Sequence, residues 1–497
     1  MKKDIYRSSR LCTIISASVE YFISMLVIDS YLAKLTTDIG IPDSVTGILT
    51  SFVSLGFGFQ LFAIFLINKR PVKRWATAMS IVNQLFFAFV YVIPFFEISK
   101  TVKTVLFVGM LLMAHILLNV AAPAKTDWHM RLVDDHKRGR FTALKEIVSL
   151  LGGMIFSFVI GMIIDNCEAD GNLHGAFIFC AVGVMGLMVI DTVVLLLAKE
   201  KEPETTEHVP VFKMVGEIIK DKKIFKVILV SVFWYIALYS TIPFYGTYKI
   251  KELGFSMTFV SILSAMYAIA RSLASRPLGR YADKHSFTRM LNICFGIVCV
   301  AYIINIFTVP ENGKVLYTIY YMLYAISMGG INSAGTNLVY DFVEPKKRVA
   351  ALALQHTLAG FAGFFATIIV GFLVDHIQNS GNTFLGLNLY AQQVVSAIGA
   401  VVVVIALVYL NTVVKKMQRK RELGEEDVAK APQYMVKRGY FAYMLGAIAC
   451  FVAEFVLLFF AISSKSVLAL ILSIISVVAT GAIAFVVCRK SIKKIVF

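Results

Sequence analysis

The stretch Gly152–Asp165, GGMIFSFVIGMIID, is answered 210 residues later by Ala362–Asp375, AGFFATIIVGFLVD. Both are almost wholly apolar, yet they agree at polar and small positions: Gly153 with Gly363, Gly161 with Gly371 and Asp165 with Asp375. Chance apolar similarity would not select glycine and aspartate. The same offset extends without a gap over Val105–Asp165 and Val315–Asp375, where Thr126 meets Thr336, Val133 meets Val343 and Arg138 meets Arg348. An offset of 214 aligns the opening of each copy, Tyr21 with Tyr235, Tyr31 with Tyr245, Asp38 with Glu252 and Gly40 with Gly254. The chain is therefore a tandem duplication, and the small change of offset is a loop-length difference.

Around this repeat, apolar runs of about 20 residues recur from end to end, each long enough to cross about 30 Å of hydrocarbon as a helix. Of the 497 residues 58% are hydrophobic and 16% charged, whereas a soluble domain carries about a quarter charged. A barrel would alternate apolar and polar residues in short strands, but runs such as Val467–Val487 are apolar on nearly all sides. The fold class is an all-α polytopic membrane protein. Spans are predicted at 11–33, 45–67, 77–97, 104–124, 140–164 and 173–198, then at 225–246, 257–278, 290–309, 314–335, 350–374 and 389–411. Two more, at 440–462 and 466–488, bring the total to about fourteen. The organisation is a six-helix half over 1–198, a central loop over 199–224, a second half over 225–412, a basic linker over 413–439 and an extra hairpin over 440–497. Six spans separate the copies, so both start on the same side, as two pseudo-symmetric bundles related by an axis along the membrane normal.

Lys and Arg are retained on the cytoplasmic side during insertion, and about 40 of the 48 lie in or beside one alternating set of loops and both termini. This places both termini in the cytoplasm of a multi-pass protein of the cytoplasmic membrane. The net charge of +17 is that basic face, which meets anionic headgroups and requires no nucleic acid. The seven cysteines are odd in number and lack C-x-x-C spacing, so neither a disulfide framework nor a metal site is expected. The basic Met1–Arg10 leads into an apolar stretch without a small-residue cleavage site, an uncleaved first span. No G-x-x-x-x-G-K loop or H-E-x-x-H is present, so neither an enzyme nor a cofactor is expected.

The loop Gly279-Arg-Tyr-Ala-Asp283-Lys284-His-Ser-Phe-Thr-Arg289 resembles the G-x-x-x-D-R/K motif of the major facilitator superfamily. Trp128-His-Met-Arg-Leu-Val, followed by Arg138-Gly-Arg-Phe, resembles a stretch common in its bacterial members. The first-half copy of the loop departs from the pattern, with Ile64 for glycine and Asn68 for aspartate. The resemblance implies alternating access, with Gly279, Asp283, Lys284 and Arg289 forming a cytoplasmic latch. By the repeat, Asp283 would sit by Arg348, as its first-half counterpart would have met Arg138. An anion there would meet a helix N-terminus and a guanidinium, worth about 1 kcal/mol or somewhat more.

Ionisable residues inside a membrane cost about 2.5 to 3.5 kcal/mol near the centre and call for a function. Ser16, Glu20, Ser24 and Tyr31 recur at helical spacing, which places them along one stripe of the opening helix that would line a cavity. The second half has Trp234 at the place of Glu20, with Tyr235 and Tyr239 beside it, aromatic faces suited either to stacking on sugar rings or organic cations or to packing and interfacial anchoring. Arg271 lies about twelve residues before Asp283. Two functions are open to it, an ion pair with Glu20 or a clamp for an anionic substrate, beside simple snorkelling. Glu146 and His356 occupy equivalent places in the fifth and eleventh spans, next to Lys145 and Gln355; plain solvation in an inner vestibule is the first reading and a proton-sensitive inner gate the second. Asp191 and Glu454 have no partner visible in the sequence.

The expected function is a monomeric secondary transporter moving a small organic solute, with protons as the coupling ion and a sugar-like or other polar metabolite preferred. The alternatives are drug/proton efflux, whose G-P step is missing from the fifth span, and a non-transporting sensor or scaffold.

Overall fold

The computed structural model describes residues 5–60, 72–133, 138–201, 211–344, 347–384 and 386–417. The expected C-terminal hairpin, most of the linker before it, Glu454, and Ile64 and Asn68 of the first-half loop lie outside the described residues.

Among the described residues, eight helices are long and apolar enough to cross a membrane, nine when the bent pair Arg7–Leu26 and Asp29–Ile39 counts as the first span. Asp43–Gly58 opens the second, Val72–Val90 is the third, Lys100–Arg131 the fourth, Arg138–Ala169 the fifth and Leu173–Leu197 the sixth. A short helix, Val211–Lys220, leads into the second half. There the seventh span is built of Lys222–Tyr239, Ile242–Thr247 and a wide turn at Tyr248–Glu252. Met257–His285, Phe287–Ile306, Gly313–Phe342, Arg348–Asn379 and Ala391–Tyr409 are the eighth to twelfth. A two-residue hairpin, Thr383–Phe384 with Leu387–Asn388, caps the loop between the last two.

Several helices overrun their predicted ends. The fourth was expected to stop at 124 and runs to Arg131, the eighth was expected to stop at 278 and runs to His285, and the tenth was expected to stop at 335 and runs to Phe342. All three overruns occur at the end of the bundle that carries Arg7; basic side chains sit in the last turn of the fourth and eighth, and the tenth ends on Tyr340-Asp341-Phe342. Hydropathy sees only the part of a helix that lies in hydrocarbon.

The duplication read from sequence is present in the packing. In the first half the third span packs on the fourth and sixth, the first on the fifth and sixth, and the second on the fourth. In the second half the ninth packs on the tenth and twelfth, the seventh on the eleventh and twelfth, and the eighth on the tenth. These are the same five pairings displaced by six spans. Gly40 and Gly254, matched by the repeat, both adopt left-handed backbone, at φ 75° and 61°, and end equivalent helical segments.

The halves meet along two seams, the second span against the eleventh and the fifth against the eighth. A glycine sits in each of them. A Cβ on Gly360 would come within 2.5 Å of the Ser54 carbonyl oxygen, and one on Gly161 within 2.8 Å of the Met257 carbonyl oxygen. Lipid gives apolar helices no hydrophobic drive to associate, so close backbone approach supplies the contact. Large apolar side chains such as Ile155, Val182, Ile369, Phe372 and Val401 are exposed on the outside of the bundle, as a lipid-facing surface requires.

Candidate solute-binding site

Two cavities open at equivalent places in the two halves. One, of about 520 Å³, lies in the first half and is lined by residues including Ala17, Glu20, Ser80, Lys125, His129 and Lys145. The other, of about 600 Å³, lies in the second half and includes Ser231, Trp234, Tyr235, Asn332, Gln355 and His356. The repeat superposes their walls: Ala17 on Ser231, Glu20 on Trp234, Thr126 on Thr336 and Lys145 on Gln355. Lys125 falls on Gly335. One cavity is thus charged where the other is aromatic or vacant of side chain.

In the charged cavity Lys125, only 6% exposed, donates to the Glu20 carboxylate in an ion pair between the fourth and first spans. Ser80 of the third span lies 3.3 Å from the ammonium and 3.4 Å from the carboxylate, tying three spans together. Deeper in, Asp191 of the sixth span is 1% exposed and accepts from Gln84 at 2.6 Å, so it does have a partner. Lys125 was not among the sequence candidates. The fourth span was ended one residue before it, and only the helix's continuation to Arg131 carries it inside.

The expected stripe on the first span is broken. Helix ends at Leu26 and resumes at Asp29, whose φ of 51° turns the chain by 40°. Tyr31 is consequently swung out of line with Glu20 into the seam between the fifth and eighth spans, where its hydroxyl meets Ser157 at 2.9 Å and Ser261 at 3.1 Å. The Ser24 hydroxyl turns back to its own helix, donating to the Tyr21 carbonyl at 2.7 Å.

In the aromatic cavity the indole of Trp234 stacks on Phe295 with centroids 5.5 Å apart and planes 20° apart. Gln355 donates to Ser231 and, at 3.0 Å, to the Gly335 carbonyl. His356 Nδ1 lies 3.1 Å from Gln60 across the seam. Tyr239 is buried behind Tyr235, its carbonyl accepting from Thr367 at 2.7 Å. Glu146, the positional equivalent of His356, is exposed and lines neither cavity.

Arg271 does not pair with Glu20. Its guanidinium lies by the hydroxyl of Tyr267 and acts electrostatically on Tyr21 of the first span. In the loop motif Gly279 belongs to the continuing eighth span, while Lys284 and Arg289 are exposed. The side chains of Asp283 and Arg138 lie outside the described residues. Arg348 stacks on Tyr340, with its guanidinium 4.7 Å from the ring centre, and donates to the Tyr340 carbonyl at 3.4 Å.

At the end of the bundle away from Arg7, polar contacts join the halves above both cavities. Lys249 pairs with Asp29, and Lys251 pairs with Asp43. Asp43 also accepts from Gln378 at 2.8 Å. Asp165 accepts from the backbone N–H groups of Met257 and Thr258, both at 2.7 Å, capping the eighth span from the fifth. This end is closed by groups from both copies.

The profile of the Major Facilitator Superfamily matches residues 11–256 and 227–496. No curated protein matches the chain. Among solved structures, a mutant of the nucleoside transporter NupG superposes with a TM-score of 0.66 at 13% identity, over 81% of this chain and 98% of its own. An inward-facing bacterial homologue of the human lysosomal transporter Spinster follows with a TM-score of 0.63 at 14% identity, over 86% and 100%. A D-xylose-proton symporter superposes with a TM-score of 0.62 at 12% identity, over 80% and 96%. At such identities these likenesses carry the fold alone. The profile match, the duplicated six-helix bundles and the paired cavities, one in each, agree: the chain belongs to the Major Facilitator Superfamily and is a multi-pass membrane transporter, not an enzyme.

Proposed function

We propose that this protein moves a small polar organic solute across the cytoplasmic membrane by alternating access, coupled to protons. The observation that carries this is the pair of equivalent cavities beneath an end sealed by both halves. The loop charges put that sealed end outside the cell, so the arrangement is the inward-facing one. Three of its solved neighbours are named as transporters of nucleosides, of D-xylose with protons and, for the Spinster homologue, of an unstated solute.

Coupling is assigned to Glu20. While Lys125 holds it, the carboxylate is neutralised and the bundle carries no uncompensated charge there. A proton on Glu20 breaks the pair and frees the ammonium to meet solute, so protonation and solute binding favour each other at one place. The domain limits set out from sequence, both termini in the cytoplasm and a monomeric carrier belong to the same proposal, with Glu20, Trp234, Tyr235 and Arg271 as solute or proton contacts. The test is uptake by the purified full chain in liposomes enclosing a pH-sensitive dye, with and without an imposed pH gradient. Solute uptake that acidifies or alkalinises the lumen in step supports the proposal, and uptake with no proton movement removes the coupling.

A further inference from the structure

We propose that Arg271 anchors an oxyanion of the transported solute, a carboxylate or phosphate monoester, so that the substrate class is an organic anion with a polar or ring-bearing body. This rests on the transport function proposed above and specifies its substrate.

Arg271 is fourteen residues before the end of its helix at His285, a rise of about 21 Å that its side chain cannot span to reach that end. Leu273, two positions on, is 63% exposed on the outer surface of the bundle. Arg271 lies about 200° round the helix from it, on the side that meets the first half. There its guanidinium meets the hydroxyl of Tyr267 and acts electrostatically on Tyr21. Its backbone packs on the tenth span at Gly329, where a Cβ would come within 2.8 Å of the Arg271 carbonyl oxygen. One turn further along that span, Ile331 and Asn332 line the aromatic cavity, while Tyr21 adjoins Glu20 of the charged one. Arg271 is thus packed on the span that lines the aromatic cavity and within electrostatic reach of the residue next to Glu20.

Among the described residues no carboxylate forms an ion pair with it; Glu20 is engaged by Lys125 and Asp191 by Gln84. An arginine in this position costs free energy unless something supplies an anion, and neighbouring tyrosine hydroxyls supply hydrogen bonds but no charge. The aromatic cavity supplies the complement, an indole face with the amides of Asn332 and Gln355, suited to the uncharged body of the same molecule. Bidentate recognition is what guanidinium offers to carboxylate and phosphate.

The experiment is a thermal-shift series on the purified full chain with matched probes: D-glucuronate and D-glucose, uridine monophosphate and uridine, nicotinate and nicotinamide. At least one anion should stabilise the protein where its neutral partner does not. Arg271→Gln should weaken that response about 100-fold in concentration, and Arg271→Lys should keep part of it; unliganded melting temperatures close to wild type show that both variants fold. A neutral probe acting as strongly as its anion, no anion acting at all, or an unchanged response in Arg271→Gln would each overturn the proposal. Liposome uptake separates this from transport itself. Arg271-independent uptake of a neutral probe leaves transport standing and removes the anion site, whereas Arg271-dependent binding without uptake does the reverse.

Discussion

Glu20 and Lys125 form an ion pair inside the first bundle at a place where the second bundle, by the same repeat, sets Trp234 and Gly335. Each charge is tolerable only because of the other. Lys125→Met should therefore lower stability by about 3 to 5 kcal/mol at neutral pH, with Glu20→Gln in the same chain restoring most of it. Melting temperatures of the two single variants and the double variant measure this directly. Additive losses would mean that the pair is not coupled.

Trp234 stacks on Phe295 and lines the aromatic cavity. Replacement by Phe should preserve solute affinity within a few-fold, and replacement by Ala should weaken it about tenfold, the worth of one stacked ring. The chain has only three tryptophans, so quenching of intrinsic fluorescence on titration with a bound solute follows the site. Loss of most of the quenching in Trp234→Phe would locate it there.

Asp43 holds both Lys251 and Gln378 at the sealed end. Asp43→Asn removes a charge-assisted contact of about 1 kcal/mol or more and should shift the equilibrium roughly fivefold or more toward the arrangement open at that end. With the native cysteines replaced, a cysteine at Ser261, buried in the seam, should be alkylated correspondingly faster in Asp43→Asn. An unchanged rate would show that these contacts do not hold the end shut.

Gly360 lets the eleventh span lie on the second, against Ser54 and Gly58, whereas Gly109 has open space around it. Gly360→Val should destabilise by about 1 to 3 kcal/mol, as overpacking does. Gly109→Ala should stabilise slightly, since it removes only the entropic penalty of glycine in a helix. Denaturation of both proteins in the same detergent provides the comparison.

The duplication was legible in sequence because glycine, aspartate and arginine persist where apolar residues drift, and the packing repeats it pair for pair. What escaped was geometry at breaks and ends. Lys125 was read as loop because basic residues close by mark the end of an apolar run, not of a helix. Tyr31 was placed on the Glu20 stripe because nothing in Val27-Ile28-Asp29 announces a positive φ, which aspartate tolerates better than most residues. That Glu20 is engaged by Lys125 and not by Arg271 could be learned only from the structure.

The break at Asp29 has a counterpart: the seventh span is interrupted after Tyr239, with Pro243 opening its next piece, and the two short segments meet where Gly246 lies against the Asp29 backbone. Each copy thus carries an elbow at the same height. The sealed end is closed by two forearms, Asp29–Ile39 and Ile242–Thr247, jointed to their bundles rather than continuous with them. Bending at the joints separates shutting this end from turning the bundles. A carrier so jointed is expected to pass through an occluded intermediate, with solute enclosed from both sides, before the opposite mouth opens.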